Sequence, residues 1–167
     1  MLEIRRARIE DLDAILDIYN DCILNSTATF DTQPRTREDH EKWFLSHDDR
    51  HPVLVAVENG GLVAWASLSR WSERPAYSGT AEVSVYVHKK HKARGIGKQV
   101  LAALVKAGKE TGLHTLVSRI AGENQACVHI HHFCGFEEIG VMKEAGHKFG
   151  KYINVTLMQL VLKDKIG

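Results

Sequence analysis

Two rhythms of apolar residues run along the chain. In IEDLDAILDIYNDCIL, Leu12, Ile15, Leu16, Tyr19 and Ile23 recur every third or fourth position, which gathers them on one face of a helix. In PVLVAVENGGLVAWASLS and TAEVSVYVH the apolar residues run together or alternate and are rich in β-branched types, which predicts strands. Asn59-Gly60-Gly61 between two such runs predicts a hairpin turn. LEIRRA predicts a first strand, and after the loop FDTQPRT, Thr36 is placed to cap a helix over REDHEKWFLSH, with Asp39 as an imperfect capping-box partner. RWSERPAYSG reads as a loop. Beyond it, GIGKQVLAALVKAGKETG predicts a helix ended by Gly112, HTLVSRIAG a strand, and NQACVHIHHFCGF a short helix ended by Gly135. FEEIGVMKE and YINVTLMQLVL predict the last strands. The order β-α-α-β-β-β-α-β-α-β-β is that of a mixed α/β sheet with helices packed on it.

Length and composition narrow the class. A chain of 167 residues, 44% hydrophobic and 26% charged, suits one globular core, so a single domain over 1–167 is expected. A formal net charge of +1 provides no global basic field, and no nucleic-acid partner is expected. The three cysteines, Cys22, Cys127 and Cys134, lack framework spacing. MLEIRRARIEDL has no apolar signal core, and no run approaches membrane-spanning length. These features point to a cytoplasmic protein with reduced thiols and no membrane partner.

Candidate chemistry begins at HKARGIGKQ, His91 to Gln99, which sets cations around two glycines one residue apart at the start of a helix. Glycine lets the backbone approach a ligand closely, and the first amides of a helix have no intrahelical acceptor. With the helix dipole adding about half a positive charge, amides over Arg94 to Lys98 suit a pyrophosphate. The stretch is a poor P-loop, because Lys98-Gln99 stands where Lys-Ser/Thr is needed. It is a poor Rossmann loop, because Val100 replaces the third glycine. On this short pattern alone, a helix start with a solvated basic turn is an equal reading.

The flanks add more. VSVYVHKKHKARGIGKQVLAAL resembles the signature of the GNAT superfamily of acetyl-CoA-dependent N-acetyltransferases, Gln/Arg-x-x-Gly-x-Gly/Ala after a central strand, here Lys92-Ala93-Arg94-Gly95-Ile96-Gly97. ENQACVHIHHFCGFEEIG is similar to that superfamily's second segment. AEVSVYV, TFDTQPRT, RPAY and GHKFGKYINVTLMQL together resemble the phosphinothricin and methionine sulfoximine N-acetyltransferase branch, over nearly the whole chain. Lys92 departs from the usual Gln or Arg, and Cys127 and Cys134 from Ser and Leu. Tyr152 and Asn154, where the branch often has Trp and Asp, bear on the acceptor rather than on the reaction.

The resemblance implies a central, mostly antiparallel mixed sheet with about four flanking helices, in which the strand holding Val85, Tyr86 and Val87 splays from its neighbour. The pantetheine arm of acetyl-CoA would pair with that strand. Its pyrophosphate would lie on Lys92, Ala93, Arg94, Gly95, Ile96, Gly97 and Lys98, with Asn124 reaching the arm from across the cleft. Asn124 is equally suited to cap the short helix. The resemblance also implies Glu82 as general base, and His131 as the group that protonates the departing thiolate. For an amino-acid-like amine it points to Phe30, Arg74, Tyr77, Tyr86, Lys148 and Tyr152, with Arg74 a planar fork for a carboxylate. Members of the branch commonly form homodimers, and the same is expected here.

Plainer readings stand beside these. Glu82 also reads as a solvent-facing strand residue, His131 as a buried structural histidine, and Arg74 as packing over Trp71. Cys127 and His131 at i, i+4 could share a metal, but no CxxC knuckle or HExxH accompanies them, so no metal is expected. A noncatalytic acetyl-CoA-binding module would need the glycine turn without Glu82 and His131, so the presence of both favours an enzyme. A peptide or protein amine remains a competing acceptor.

Overall fold

The computed structural model describes residues 1–163. The helices are α1 (Leu12–Asn25), α2 (Arg37–Leu45), α3 (Ile96–Glu110) and α4 (Gln125–Phe133). The strands are β1 (Leu2–Arg6), β2 (Val53–Glu58), β3 (Gly61–Arg70), β4 (Thr80–Val87), β5 (Thr115–Ala121), β6 (Glu137–Lys148) and β7 (Lys151–Val161). They form one seven-stranded sheet in the order β1-β2-β3-β4-β5-β7-β6. Every neighbouring pair is antiparallel except β4 and β5, which run parallel. Among the described residues no helix is long and apolar enough to cross a membrane.

Strand alternation divides the interior into two layers. On one face Ala64, Ala66 and Leu68 of β3 and Ala81 and Val83 of β4 pack with Ile96, Val100, Leu101 and Leu104 of α3. On the other, Trp65 joins Val53 and Val55 of β2 beneath Ile15 and Ile18 of α1, and Tyr19, Trp43 and Tyr86 extend this cluster. The helical stripe read from the sequence is therefore shifted slightly. Ile18 and Cys22 are buried with Leu12, Ile15 and Ile23, while Leu16 and Tyr19 are half-buried.

Local chemistry sets the element ends. Thr36 caps α2, its hydroxyl oxygen accepting from the Asp39 amide at 3.1 Å. The Asp39 carboxylate accepts from the Thr36 hydroxyl at 2.9 Å rather than from the Thr36 amide, so the capping box is incomplete. Asn59 and Gly60 turn the β2–β3 hairpin with φ of 52° and 78°, the left-handed pair that such two-residue turns require. The strand expected over FEEIGVMKE continues to Lys148, with register shifts between Glu138 and Gly140 and between Met142 and Gly146. The Asn154 side-chain oxygen holds the second irregularity by accepting from the Glu144 amide at 2.8 Å. A bulge fixed by a cross-strand side chain disrupts the alternation by which a strand is read.

Candidate active site

β4 and β5 share only three pairs, Thr80 with Thr115, Ala81 with Leu116 and Glu82 with Val117. Beyond Glu82, β4 stays with β3 as far as Val87, and β5 stays with β7 as far as Ala121. Each strand follows its antiparallel partner, and the two part company. Their facing edges open into a cleft of about 570 Å³, whose walls include Val85 and Tyr86 of β4, Ser118 and Ile120 of β5, Asn124 just before α4 and His131 within it. Main-chain groups along such an edge suit an extended, amide-bearing ligand.

At the far end of β4 the chain makes a one-turn 3-10 segment over Lys89–His91 and enters α3 through Ala93 and Gly95, at φ of 60° and 76°. Gly95 is the N-cap and offers no side-chain bond, so the leading amides of α3 have no side-chain acceptor at the cap. A Cβ on Gly97 would lie 3.3 Å from Val87 Cγ2 and 3.5 Å from Ile130 Cδ1, a close but not forbidding fit. The Arg94 guanidinium turns away to both oxygens of Glu58, at 2.9 and 3.0 Å, and pins the turn to the β2–β3 hairpin. The Lys98 ammonium stands 4.1 Å from the centre of the Phe133 ring. Lys92 and Val87 line a smaller hollow beside this turn. The unpaired strand edges and the uncapped, glycine-led helix start fit a pantetheine arm followed by a pyrophosphate.

Glu82 sits at the last β4–β5 pair, on the cleft wall. Both carboxylate oxygens accept from Arg119, the Nη2–Oε1 bond being 2.8 Å and the other running from Nε to Oε2. Arg119 also lies 5.7 Å from the Trp71 ring, the place considered above for Arg74. The carboxylate raises the pKa of the guanidinium, which stays charged. The signal for Arg119 was available in TLVSRIA, where one cation interrupts an apolar strand.

His131 is 1% exposed, and its Nδ1 lies 2.8 Å from the Cys127 carbonyl oxygen. A carbonyl only accepts, so Nδ1 carries the hydrogen and Nε2 the lone pair. Nε2 meets no partner among the described residues. Burial lowers the His131 pKa, favouring the neutral ring, and pushes the Cys127 thiol up to about 11. The Asn124 side-chain oxygen accepts from the Cys127 amide at 3.1 Å and caps α4. Asn124, Cys127 and His131 line the cleft as one stripe. Cys134 leaves it, its sulfur lying toward the Lys98 carbonyl.

On the side covered by α1, the loop 26–31 closes the cleft. Lys148 is 4% exposed and ties this loop by donating to the Ser26 and Thr29 carbonyls, both at 2.8 Å. Phe30 lines the cleft and lies over Gly146, where a Cβ would meet its ring at 2.2 Å. Tyr19, its pKa pushed up to about 12 by burial and by Asp31, donates to Asp31 at 2.6 Å, and Arg35 pairs with the same carboxylate at 2.9 Å. This triad was not singled out from the sequence, because its members are separated by a loop. Arg74 and Tyr77 line a different hollow with Asp48 and His51, and Tyr152 is 69% exposed beside His147. The structure thus brings Glu82, Val85, Tyr86, Asn124, His131 and Phe30 to one cleft, leaves Arg74, Tyr77 and Tyr152 outside its walls, and gives Lys148 to the loop.

A sheet opened at its parallel pair, with a glycine-led helix start at one end of the gap and an acid and a neutral histidine within it, has the layout of a CoA-dependent acyltransferase. Residues 4–157 match the acetyltransferase (GNAT) domain family. The chain is 35% identical to the L-amino acid N-acyltransferase MnaT of Escherichia coli, over 98% of this chain and 96% of that one. It is 37% identical to the L-methionine sulfoximine/L-methionine sulfone acetyltransferase of Pseudomonas aeruginosa, over 95% and 94%. It superimposes with a TM-score of 0.92 and 29% identity on a GNAT superfamily phosphinothricin acetyltransferase from Sinorhizobium meliloti solved in complex with acetyl-CoA, over 96% and 88%. The chain belongs to the GNAT family and is an acetyl-CoA-dependent N-acetyltransferase.

Proposed function

We propose that the acceptor is the primary amine of a small, amino-acid-like molecule of the phosphinothricin or methionine sulfoximine type. The observation that carries this reading is the cleft of about 570 Å³, a small-molecule scale, whose walls bring Glu82 together with Phe30 of the Lys148-anchored loop. The named substrates of the similar enzymes agree with it.

Ala93, Gly95 and Gly97 would hold the pyrophosphate of acetyl-CoA, and Val85 and Tyr86 its arm; when bound, it supplies an acetyl group activated as a thioester. The remaining work belongs to side chains. The Glu82 carboxylate keeps free lone pairs after accepting from Arg119, and accepts the proton that leaves the acceptor ammonium, directly or through water. His131 Nε2 takes a second amine proton as the N–C bond forms and returns it to sulfur as the C–S bond breaks. One proton is thus released through Glu82 and one moves from nitrogen to sulfur. Neutral His131 suits both halves of that exchange.

The test is thiol release from acetyl-CoA across free amino acids, phosphinothricin, methionine sulfoximine, polyamines and short peptides. Turnover of amino-acid analogues well above peptides supports the reading, and the reverse order overturns it. We further propose a homodimer. Ile139 and Val141, two apart on β6, are both exposed apolar residues, and light scattering at working concentration tests whether a second copy covers them.

A further inference from the structure

A smaller pocket of about 70 Å³ adjoins the main cleft on the sheet face covered by α1 and α2, and Tyr19, Arg35, Ser84 and Tyr86 line both. Cross-strand register sets its place. Trp65 pairs with Tyr86, Ser67 with Ser84 and Ser69 with Glu82, so Glu82, Ser84 and Tyr86 form one row with about 7 Å per step. The pocket therefore begins one step from the carboxylate that faces the acceptor amine.

Two polar atoms at this pocket meet no protein partner among the described residues, Trp65 Nε1 and His40 Nε2, on side chains each 2% exposed. A buried polar atom left without a partner is destabilising, so the Trp65 N–H and His40 Nε2 on one pocket call for a polar occupant. Both rings are held firmly. His40 stacks on Trp43 at 4.5 Å, and Trp65 packs against Tyr86 at 4.8 Å and Trp43 at 5.3 Å. Burial lowers the His40 pKa to about 4, so the ring is uncharged at neutral pH. Arg35, the one charged side chain among the described residues that line the pocket, is already paired with Asp31. An ionised tip would lose hydration here without a free counter-charge.

We propose that this pocket is the specificity subsite for the acceptor's side chain, taking a short uncharged tip whose oxygen accepts from Trp65 Nε1 while His40 Nε2 contacts the same polar group. The inference rests on the small amino-acid-like acceptor proposed above. At roughly 30 Å³ per water, the pocket holds about two waters' worth of matter, the scale of a methyl–sulfur–oxygen tip. A neutral sulfone or sulfoximine meets both atoms. A thioether leaves them unpaired, and an anionic phosphinate of the same shape adds a charge.

The experiment compares kcat/KM for L-methionine sulfone, L-methionine and phosphinothricin in the native enzyme, Trp65→Phe and His40→Phe. The native enzyme is expected to favour the sulfone over both others by at least about tenfold, and each variant to cut the sulfone-to-methionine ratio by about tenfold or more. Titrations of the native protein, which need no variant to fold, should move the Trp65 indole N–H resonance with the sulfone and not with methionine. A native preference for phosphinothricin, unchanged ratios in both variants, or an indole resonance indifferent to the sulfone overturns the subsite alone. If peptides or polyamines are acetylated and none of the three amino acids is, the acceptor reading falls and the subsite with it.

Discussion

Arg119 donates to both carboxylate oxygens of Glu82 across the point where β4 and β5 cease to pair. The ion pair continues between side chains a connection that the main chain has just given up. It also orients the carboxylate on the cleft wall. Glu82→Gln keeps the shape but removes the proton acceptor, so turnover should fall by ~10²–10⁴ at neutral pH with acetyl-CoA affinity retained. Raising the pH should restore part of that loss, because more of the acceptor is then neutral without help. Steady-state rates from pH 7 to 9.5 check this, and a variant with native turnover throughout would remove Glu82 from proton transfer.

His131→Phe should behave differently. If His131 is the proposed relay between nitrogen and sulfur, loss of its ring removes a step that alkaline pH does not replace, so the defect should persist where that of Glu82→Gln shrinks. Parallel pH–rate profiles for the two variants would refute the division of labour.

Gly97→Glu should abolish acetyl-CoA binding, by steric conflict with Val87 and Ile130 and by charge repulsion at the pyrophosphate turn. Calorimetry on the folded variant is the measurement. Unchanged affinity would relocate the cofactor site.

Gly146→Ala should push Phe30 off β6, because its Cβ would meet that ring at 2.2 Å. The acceptor KM is expected to rise severalfold or more while the KM for acetyl-CoA holds. Phe30→Ala in the same background should cancel most of the added defect, the mark of a direct contact.

Acid should destabilise the fold before the carboxylates titrate. With a folded pKa of about 4 against an unfolded 6.5, His40 leaves the unfolded chain binding more protons between those values. Its contribution is therefore complete above pH 6.5 and declines as pH falls, by about 2 kcal/mol at pH 5. His47 and His131, also lowered by burial, act in the same direction. Urea midpoints at pH 7 and 5 should differ, and His40→Gln should reduce the difference.

The order of elements and the glycine-led entry to α3 were legible because both are local. Periodicity marks α1 and α3, Asn59-Gly60 marks a hairpin, and two glycines before an apolar helix mark a helix start without a side-chain cap. The extension of β6 was hidden because its bulge is held by Asn154, ten residues along. The acceptor side was legible only in fragments. Glu82 and His131 stand out as polar residues in apolar settings, yet Arg119, in the same kind of setting, was passed over. Arg74 and Tyr77 were expected at the acceptor but face a separate hollow within the chain, since a loop's sequence does not say which way it folds. Lys148 was expected beside the substrate and instead holds two loop carbonyls. Trp65 and His40 gave no warning, because an indole in a strand and a histidine in a helix usually mean packing.

The parting of β4 and β5 also bears on how long the protein survives in a crowded solution. A sheet normally hides its sticky margins at the rim, whereas this one carries a raw margin in its middle, where any extended peptide of the right width finds ready hydrogen-bonding groups. When acetyl-CoA fills that slot, the folded form gains RT ln(1 + [L]/Kd), about 2.7 kcal/mol at a hundredfold excess over Kd. If acetyl-CoA is the ligand in that slot, its depletion lowers the stability of the fold as well as stopping turnover.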